Sequence, residues 1–372
     1  MNRRNFLKIL AFLTFFLSFN LFSKTKRIVR FKHGVASGDP TPDDVILWTK
    51  VTSNSKNSIL VFYEVSNTID FKNIIASGKQ YTTVGRDFTV KVDARIPNKF
   101  AGQKVFYRFA AEGVYSQIGT TFTLPEDVEN FKLAVFSCSN YPAGYFNAYN
   151  SASKDKSIDM AIHLGDYLYE YKQGEYATEN SISLNRQPIP NKEIITLSDY
   201  RQRHAQYKSD MDLQKLHSTM PVLCAWDDHE ITNDAWKNNA ENHQFNEGSF
   251  SLRKRNAIKA YYEWMPVREP KIAFNNWKRY KIGKLIDLKL LETRISSRSK
   301  QVNLNDYIKD GKNFQKEAFL KELNNKKRSL IGKKQLDFIK ENDLDDQTWN
   351  LYAQQVLLAT LKLPTIPDNI ID

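Results

Sequence analysis

Two short segments concentrate the side chains that bind cations and move protons. One is His163-Leu164-Gly165-Asp166-Tyr167-Leu168-Tyr169-Glu170, and the other is Trp226-Asp227-Asp228-His229-Glu230. In each, an apolar run ends abruptly in carboxylate, phenol or imidazole: 158–164 (IDMAIHL) before the first, 221–226 (PVLCAW) before the second. Both runs read as buried strands. Strand ends that release clustered oxygen and nitrogen ligands are where open α/β sheets build their sites. The pattern points to a metal-dependent enzyme acting on phosphate esters.

Asp166 and Tyr169 can reach one point from a turn after the strand. Tyrosinate suits ferric iron, a hard ion that lowers the phenol pKa, and Asp166 could bridge two ions. The motif alone fits a helix-capping Asp166 and a core Tyr169 equally well. Asp227-Asp228-His229-Glu230 sets three acids around one imidazole, a charge density that needs a cation or solvent to offset it. A helix N-terminus is its plain alternative. A third strand-like run, LAVFSC, ends in Cys138. Three strand ends bearing ligand-type groups favour a metal site. Hard oxygens suit calcium, manganese or ferric iron, and a thiolate suits iron or zinc, so a mixed-metal centre fits better than one structural zinc. Such a centre clamps a phosphoryl group and lowers the pKa of bound water. His229 is placed to donate a proton or stabilise transferring charge.

The elements that must position these residues fall in two blocks. Residues 31–125 look all-β. Short β-branched or aromatic runs (45–48, 58–65, 88–92, 105–110) are separated by Gly, Pro, Asn and Asp at intervals typical of a sandwich. Pro125-Glu126-Asp127 reads as a linker. From 131 to 372 the pattern alternates strand and helix, which implies a layered α/β domain. A helix is predicted near 145–154, a polar stretch over 172–197, and a helix capped by Ser198 or Asp199. Strands follow at 285–291 and 349–359. No internal repeat or low-complexity segment is present.

Composition agrees with a folded globular chain: 41% hydrophobic, 26% charged and 13% aromatic residues. At 372 residues two domains are expected. Residues 1–23 differ. Arg3-Arg4-Asn5-Phe6-Leu7-Lys8 precedes an uncharged apolar run over 9–22, which reads as an export signal of twin-arginine type. A retained membrane anchor is the alternative, although the run is short for a span of roughly 20 residues. The formal net charge of +12 is spread along the chain. It would attract anionic substrates, and no aromatic-interleaved nucleic-acid motif accompanies it. Of the two cysteines, Cys138 sits at a strand end and Cys224 mid-strand, and a disulfide between them is left open by the sequence.

These residues resemble the alkaline phosphatase D (PhoD-type) family of metallophosphoesterases. The resemblance runs from residue 1 to about 363. It includes the twin-arginine signal, Phe31-Lys32-His33-Gly34-Val35-Ala36-Ser37-Gly38-Asp39-Pro40, Val45-Ile46-Leu47-Trp48, 163–170, 197–207 (LSDYRQRHAQY), 226–230 and Leu290-Leu291-Glu292-Thr293-Arg294. It implies an N-terminal fibronectin-like β-sandwich and an αββα metallophosphatase domain, with ferric iron (Fe3+) and calcium (Ca2+) at the centre. Carried over by motif, Cys138, Asp166 and Tyr169 are implied iron ligands, with Asp166 shared. Asp228 is an implied ligand of the second metal, and His229 contacts phosphate. Arg294 fits substrate contact, a salt bridge or helix packing. Expected partners are a phosphate mono- or diester and the twin-arginine export machinery, with a periplasmic or secreted location. The family completes its centre with a Gly-Asp-x-His segment; none occurs here, and no histidine follows His243. The expectation is therefore a C-terminally shortened domain lacking its last strands. Its missing segment could be supplied by a separate fragment, or the chain could bind metal or phosphate without turnover.

Overall fold

The structure is a computed structural model that describes residues 28–54, 56–271, 274–341 and 347–358. The predicted signal at 1–23 lies outside these residues. Among the described residues no helix is long and apolar enough to cross a membrane.

The N-terminal block is two antiparallel sheets on one core. Strands β1 (Val35–Gly38), β2 (Asp44–Lys50), β3 (Ile59–Ser66), β4 (Ile74–Thr82), β5 (Thr89–Arg95), β6 (Val105–Ala111) and β7 (Gly119–Thr121) divide into a β1-β2-β5 sheet and a β7-β6-β3-β4 sheet. Alternate residues of β6, Val105, Tyr107, Phe109 and Ala111, point inward with Val45, Leu47, Val61 and Val90 to form the shared core. That period of two buries one face of each sheet. The sequence reading found β2, β3, β5 and β6. It missed β1, β7 and β4, whose IIASGKQYT alternates weakly and has one buried residue.

The second block is built on three parallel strands, β8 (Leu133–Phe136), β9 (Met160–His163) and β10 (Val222–Cys224), in the order β8-β9-β10. Helix α1 (Asn147–Lys154) connects β8 to β9, and α2 (Leu197–Lys208) and α3 (Met211–Thr219) lie between β9 and β10. All four residues of β9 are buried, as a strand covered on both faces requires. Ala161 and Cys224 join the helix-side core with Tyr149, Leu213 and, from α4 (Phe250–Trp264), Ala257 and Tyr261. Met160, Ile162 and Leu223 face the other way, against Tyr280, Ile282, Leu288 and Leu290. Those belong to a second sheet of β11 (Lys278–Ile282), β12 (Ile286–Leu290) and β13 (Trp349–Ala353). Helix α2 is capped by Thr196, not by Ser198 or Asp199. Thr196 and Asp199 form a reciprocal capping box, so Asp199 is its third residue.

The blocks are fastened together. Trp48 is fully buried and its indole donates to the Glu263 carbonyl at 2.9 Å. Asp39, also buried, accepts from Tyr280 Oη at 2.6 Å and from the Arg268 amide at 2.7 Å. The N-terminal sheets thereby brace the scaffold that carries the site. Cys138 and Cys224 are both free thiols, which closes the disulfide question.

Candidate metal centre

Three consecutive parallel strands deliver the candidate residues to one edge. Cys138 follows β8, Asp166 and Tyr169 follow β9, and Asp227, Asp228 and His229 follow β10. Neither acidic segment begins a helix, so the helix-cap alternatives fall away. Cys138 (φ 56°) and Asp166 (φ 53°) both take the left-handed conformation. That costs a non-glycine residue about 1–3 kcal/mol and clusters at functional sites. The two loops hold each other in it: the Cys138 amide donates to the Gly165 carbonyl at 3.1 Å, and the Ser139 amide to the Asp166 carbonyl at 2.9 Å. Gly165, at φ 115°, cannot be replaced by a larger residue, because a Cβ there would lie 2.3 Å from the Asp227 amide nitrogen. Its missing side chain is what lets the β9 and β10 loops touch.

The side chains converge. Cys138 Sγ lies 3.5 Å from Asp166 Oδ2, and Tyr169 Oη donates to the same oxygen at 3.3 Å. Asp166 Oδ1 accepts from the His229 amide at 3.3 Å. Ligand atoms of Asp166, Asp228 and His229 lie within 4.8 Å of one another. The Tyr169 ring stacks on His229 with centroids 4.2 Å apart.

Electrostatics at the cluster favour a cation. Burial pushes the Asp166 carboxyl up, and the Asp228 charge adds to it against His229. Burial, and then the Asp166 charge, raise the Tyr169 phenol, and burial also raises the Cys138 thiol. Thiol, phenol and carboxyl are each driven toward neutral forms by desolvation and mutual repulsion. A cation among them would reverse every one of these shifts. The donor set therefore fits a metal ion, with Cys138, Asp166, Tyr169 and Asp228 as the donors and His229 beside them.

Two buried acids outside the predicted set organise the site. Glu230 accepts from the backbone amides of Asp166 (3.0 Å), Tyr167 (2.7 Å) and Asp227 (2.8 Å), tying the β9 loop to the β10 loop. Glu170 accepts from His229 Nδ1 at 2.7 Å, the Asn233 amide at 2.7 Å and Asn242 Nδ2 at 2.9 Å. Burial opposes charge on both partners, but the contact outweighs it, holding His229 at about 9 and Glu170 at about 2. Nδ1 is thereby committed, and Nε2 is the free ring nitrogen. Both acids close the motifs noted in the sequence. Their signal was an acid beside the candidate ligands, but the partners lie up to 72 residues away and are invisible to spacing.

Arg294 resolves as a salt bridge. Its guanidinium pairs with Asp227, lies 3.1 Å from Asp228 Oδ1 and 3.4 Å from Asp234 Oδ1. Asp228 Oδ2 accepts from the Asp234 amide at 2.5 Å. Both oxygens of Asp228 thus already have partners. Burial, aided by Asp228 and opposed by Arg294, lifts Asp227 to about 7.

Beneath the centre, the buried His163 is fixed in one tautomer. The Gly165 amide donates to its Nδ1 at 3.3 Å, so Nε2 carries the proton and donates to Tyr149 Oη at 2.8 Å. Ser139 Oγ, 3.4 Å from the same nitrogen, donates to the Tyr167 carbonyl at 3.1 Å.

An antiparallel β block is joined to a parallel sheet whose strand ends carry acids, a thiol and an imidazole, the place where open α/β sheets build their sites. The comparisons narrow the class. The PhoD-like phosphatase family matches residues 133–370, and the N-terminal domain of PhoD-like phosphatases matches residues 18–125. The chain belongs to the PhoD-like phosphatase family. Alkaline phosphatase D of Bacillus subtilis (strain 168) is 35% identical over 347 residues, covering 88% of this chain and 56% of that protein. A solved structure described as "Structure of PhoD" superposes with a TM-score of 0.76 at 33% identity, covering 89% of this chain and 63% of that one. The chain therefore spans less than two thirds of the length of either relative.

Proposed function

We propose that this chain is a metal-dependent phosphoric ester hydrolase of the alkaline phosphatase D type, acting on phosphate mono- or diesters. One observation carries the reading: three adjacent parallel strands end in groups of which Asp166, Asp228 and His229 offer ligand atoms within 4.8 Å of one another, with Cys138 and Tyr169 on Asp166. The mixture of thiol, phenol and carboxylate supports a ferric iron that Cys138, Asp166 and Tyr169 would hold, and a calcium that Asp166 and Asp228 would hold. When bound, such ions polarise the phosphoryl group and lower the pKa of a coordinated water. The chain's own residues do the rest. Asp166 is aimed by Glu230 through the backbone amide. His229 is aimed by Glu170, and its free Nε2 holds a proton beside the centre that it can give to a phosphoryl or leaving oxygen. Tyr169 packs flat on the imidazole and keeps water off that face.

The paired N-terminal sheets support the fibronectin-like sandwich reading. The two sheets of the second block, with helices on the outer face of the parallel one, support the αββα reading. Export through the twin-arginine pathway to the periplasm or medium rests on Arg3-Arg4 and the apolar run that follows.

Arg294 favours a second reading. It already neutralises Asp228, the ligand assigned to the second ion, so a chain that binds one metal or phosphate without turnover is the alternative. Metal analysis of the purified protein with a bis(p-nitrophenyl) phosphate assay at alkaline pH separates the two. Metal-dependent hydrolysis that disappears in Asp166→Ala is expected. Bound metal without hydrolysis selects the second reading, and unchanged hydrolysis in Asp166→Ala overturns the role of Asp166.

A further inference from the structure

A cleft of roughly 440 Å³ opens directly from the centre, and the reading above gives it no task. It shares two walls with the centre, Cys138 and Tyr169, and runs outward past Asn140 and Gly144 to Tyr145 and Tyr176. Three properties define what it can hold. First, no charged residue lines it, although 26% of the chain is charged. The nearest guanidinium, Arg186, stacks behind Tyr145 at 5.5 Å and is already paired with Asp210, so a second phosphate would find little counter-charge there. Second, its rim is aromatic and wet. Tyr145 and Tyr176 are each 59% exposed, which leaves ring area free to be covered. Tyr176 is in line with the centre, stacked on Tyr169 at 5.9 Å with 17° between planes. Third, both side-chain atoms of Asn140 are buried without a hydrogen-bond partner. An unpaired buried amide is costly and calls for a ligand or water offering a donor and an acceptor side by side. A Cβ at Gly144 would meet nothing within 4 Å, so the passage between them is open.

We infer that this cleft is the subsite for the ester substituent, and that it selects a neutral planar ring. The substrate class is a phosphate ester carrying an aryl or heteroaryl group. The ring lies against Tyr145 or Tyr176, and a ring with an amide-like edge also pairs with Asn140. This rests on the hydrolase reading, because the cleft matters only if phosphate sits at the centre. Base–aromatic and ring–aromatic stacking of this kind is worth about 1–3 kcal/mol per ring, roughly ten- to a hundredfold in affinity.

The test uses the full chain loaded with metal and two ligands that cannot be hydrolysed, phenylphosphonate and methylphosphonate, with calorimetry as the readout. Phenylphosphonate is expected to bind at least about tenfold more tightly. In Tyr145→Ala and Tyr176→Ala that preference shrinks toward unity while methylphosphonate affinity is unchanged. Both side chains are largely solvent-exposed, so folding is preserved, and thermal midpoints verify it. Asn140→Ala leaves phenylphosphonate alone but weakens a uridine phosphonate, whose base has an amide edge. Equal affinities in the wild type, or a preference that survives both tyrosine variants, overturns the subsite while leaving the hydrolase reading intact. Failure of either ligand to bind, together with absent bis(p-nitrophenyl) phosphate turnover, removes the hydrolase reading and the subsite with it.

Discussion

The two acid-bearing sides of the centre meet the same electrostatic problem in opposite ways. After β10, Asp227, Asp228 and Asp234 gather around Arg294, and the protein supplies the cation itself. After β8 and β9, Cys138, Asp166 and Tyr169 hydrogen-bond to one another and to the His229 amide, with no guanidinium or ammonium group among those contacts. The thiol, phenol and carboxyl are accordingly held up by burial and repulsion. Negative charge brought to the end of a buried sheet must be compensated. One side is compensated by Arg294, and the other has only the His229 imidazolium beside it, which Glu170 already neutralises. The proposed metal centre is accordingly expected to hold its ion more tightly at Asp166 than at Asp228.

The largest way to break this comparison is to remove the internal cation. Arg294→Met leaves Asp227 and Asp228 buried without their guanidinium, and unfolding in urea is expected to show a loss of about 3–5 kcal/mol. Adding Asp227→Asn to that variant should recover a large part of it. A nearly neutral Arg294→Met would mean that Asp228 is not truly compensated and that the two sides do not differ.

Next in size is removal of the shared acid on the other side. Loss of groups that merely orient ligands lowers metal affinity or activity by about 10–100-fold, so Asp166→Asn should exceed about 100-fold. The same variant sharpens the comparison without any assay of turnover. A cation binding the folded wild type stabilises it by about 2.7 kcal/mol at a hundred times its dissociation constant. That rise in thermal midpoint should vanish in Asp166→Asn and persist in Asp228→Asn. Equal loss in both would place the ion evenly between the two sides.

The sequence exposed the ligands more fully than their supports. An apolar run ending in Asp166, and another ending in Asp227-Asp228-His229, announce strand ends, because a buried strand tolerates polar groups only where it emerges. Cys138 after LAVFSC follows the same logic. Arg294 remained ambiguous because an arginine's partner is set by the fold: Asp227 lies 67 positions away. Glu170 and Glu230 were visible as acids but not as struts, since their work is done on backbone amides whose positions no residue type encodes. In the first block the strands with apolar alternation were legible. β4 was not, because an exposed strand with Gly78 and polar neighbours owes its existence to pairing with β3 along its length. The Thr196 cap was misplaced by two or three residues for a related reason. Thr196, Ser198 and Asp199 are all good caps, and the reciprocal Thr196–Asp199 bonds decide among them.

The smallest predicted effect concerns pH and separates the compensating pair from the ion site. In the metal-free protein His229 sits at about 9, above its ordinary 6.5. Its pairing with Glu170 therefore contributes stability fully below pH 6.5, and that contribution is lost as pH rises through about 9. Glu170, held at about 2, contributes above its usual 4.5 and fails only as pH falls through about 2. Asp227 works with the opposite sign. Raised to about 7, it favours the folded state when protonated, so its contribution fades from pH 3.8 up to about 7. A decline in stability between pH 7 and about 9 thus belongs to His229 and not to Asp227. It should be on the order of 1–2 kcal/mol in thermal or urea unfolding. Glu170→Gln should flatten that upper limb and remove its own acid limb below pH 4.5, leaving the Asp227 limb between pH 3.8 and about 7 in place. Arg294→Met should keep the His229 limb and move the Asp227 limb upward, because Arg294 opposes the rise of Asp227. An upper limb that survives in Glu170→Gln would show that the imidazolium is held by the Asp166 side instead, and would merge the two sides that the structure keeps apart.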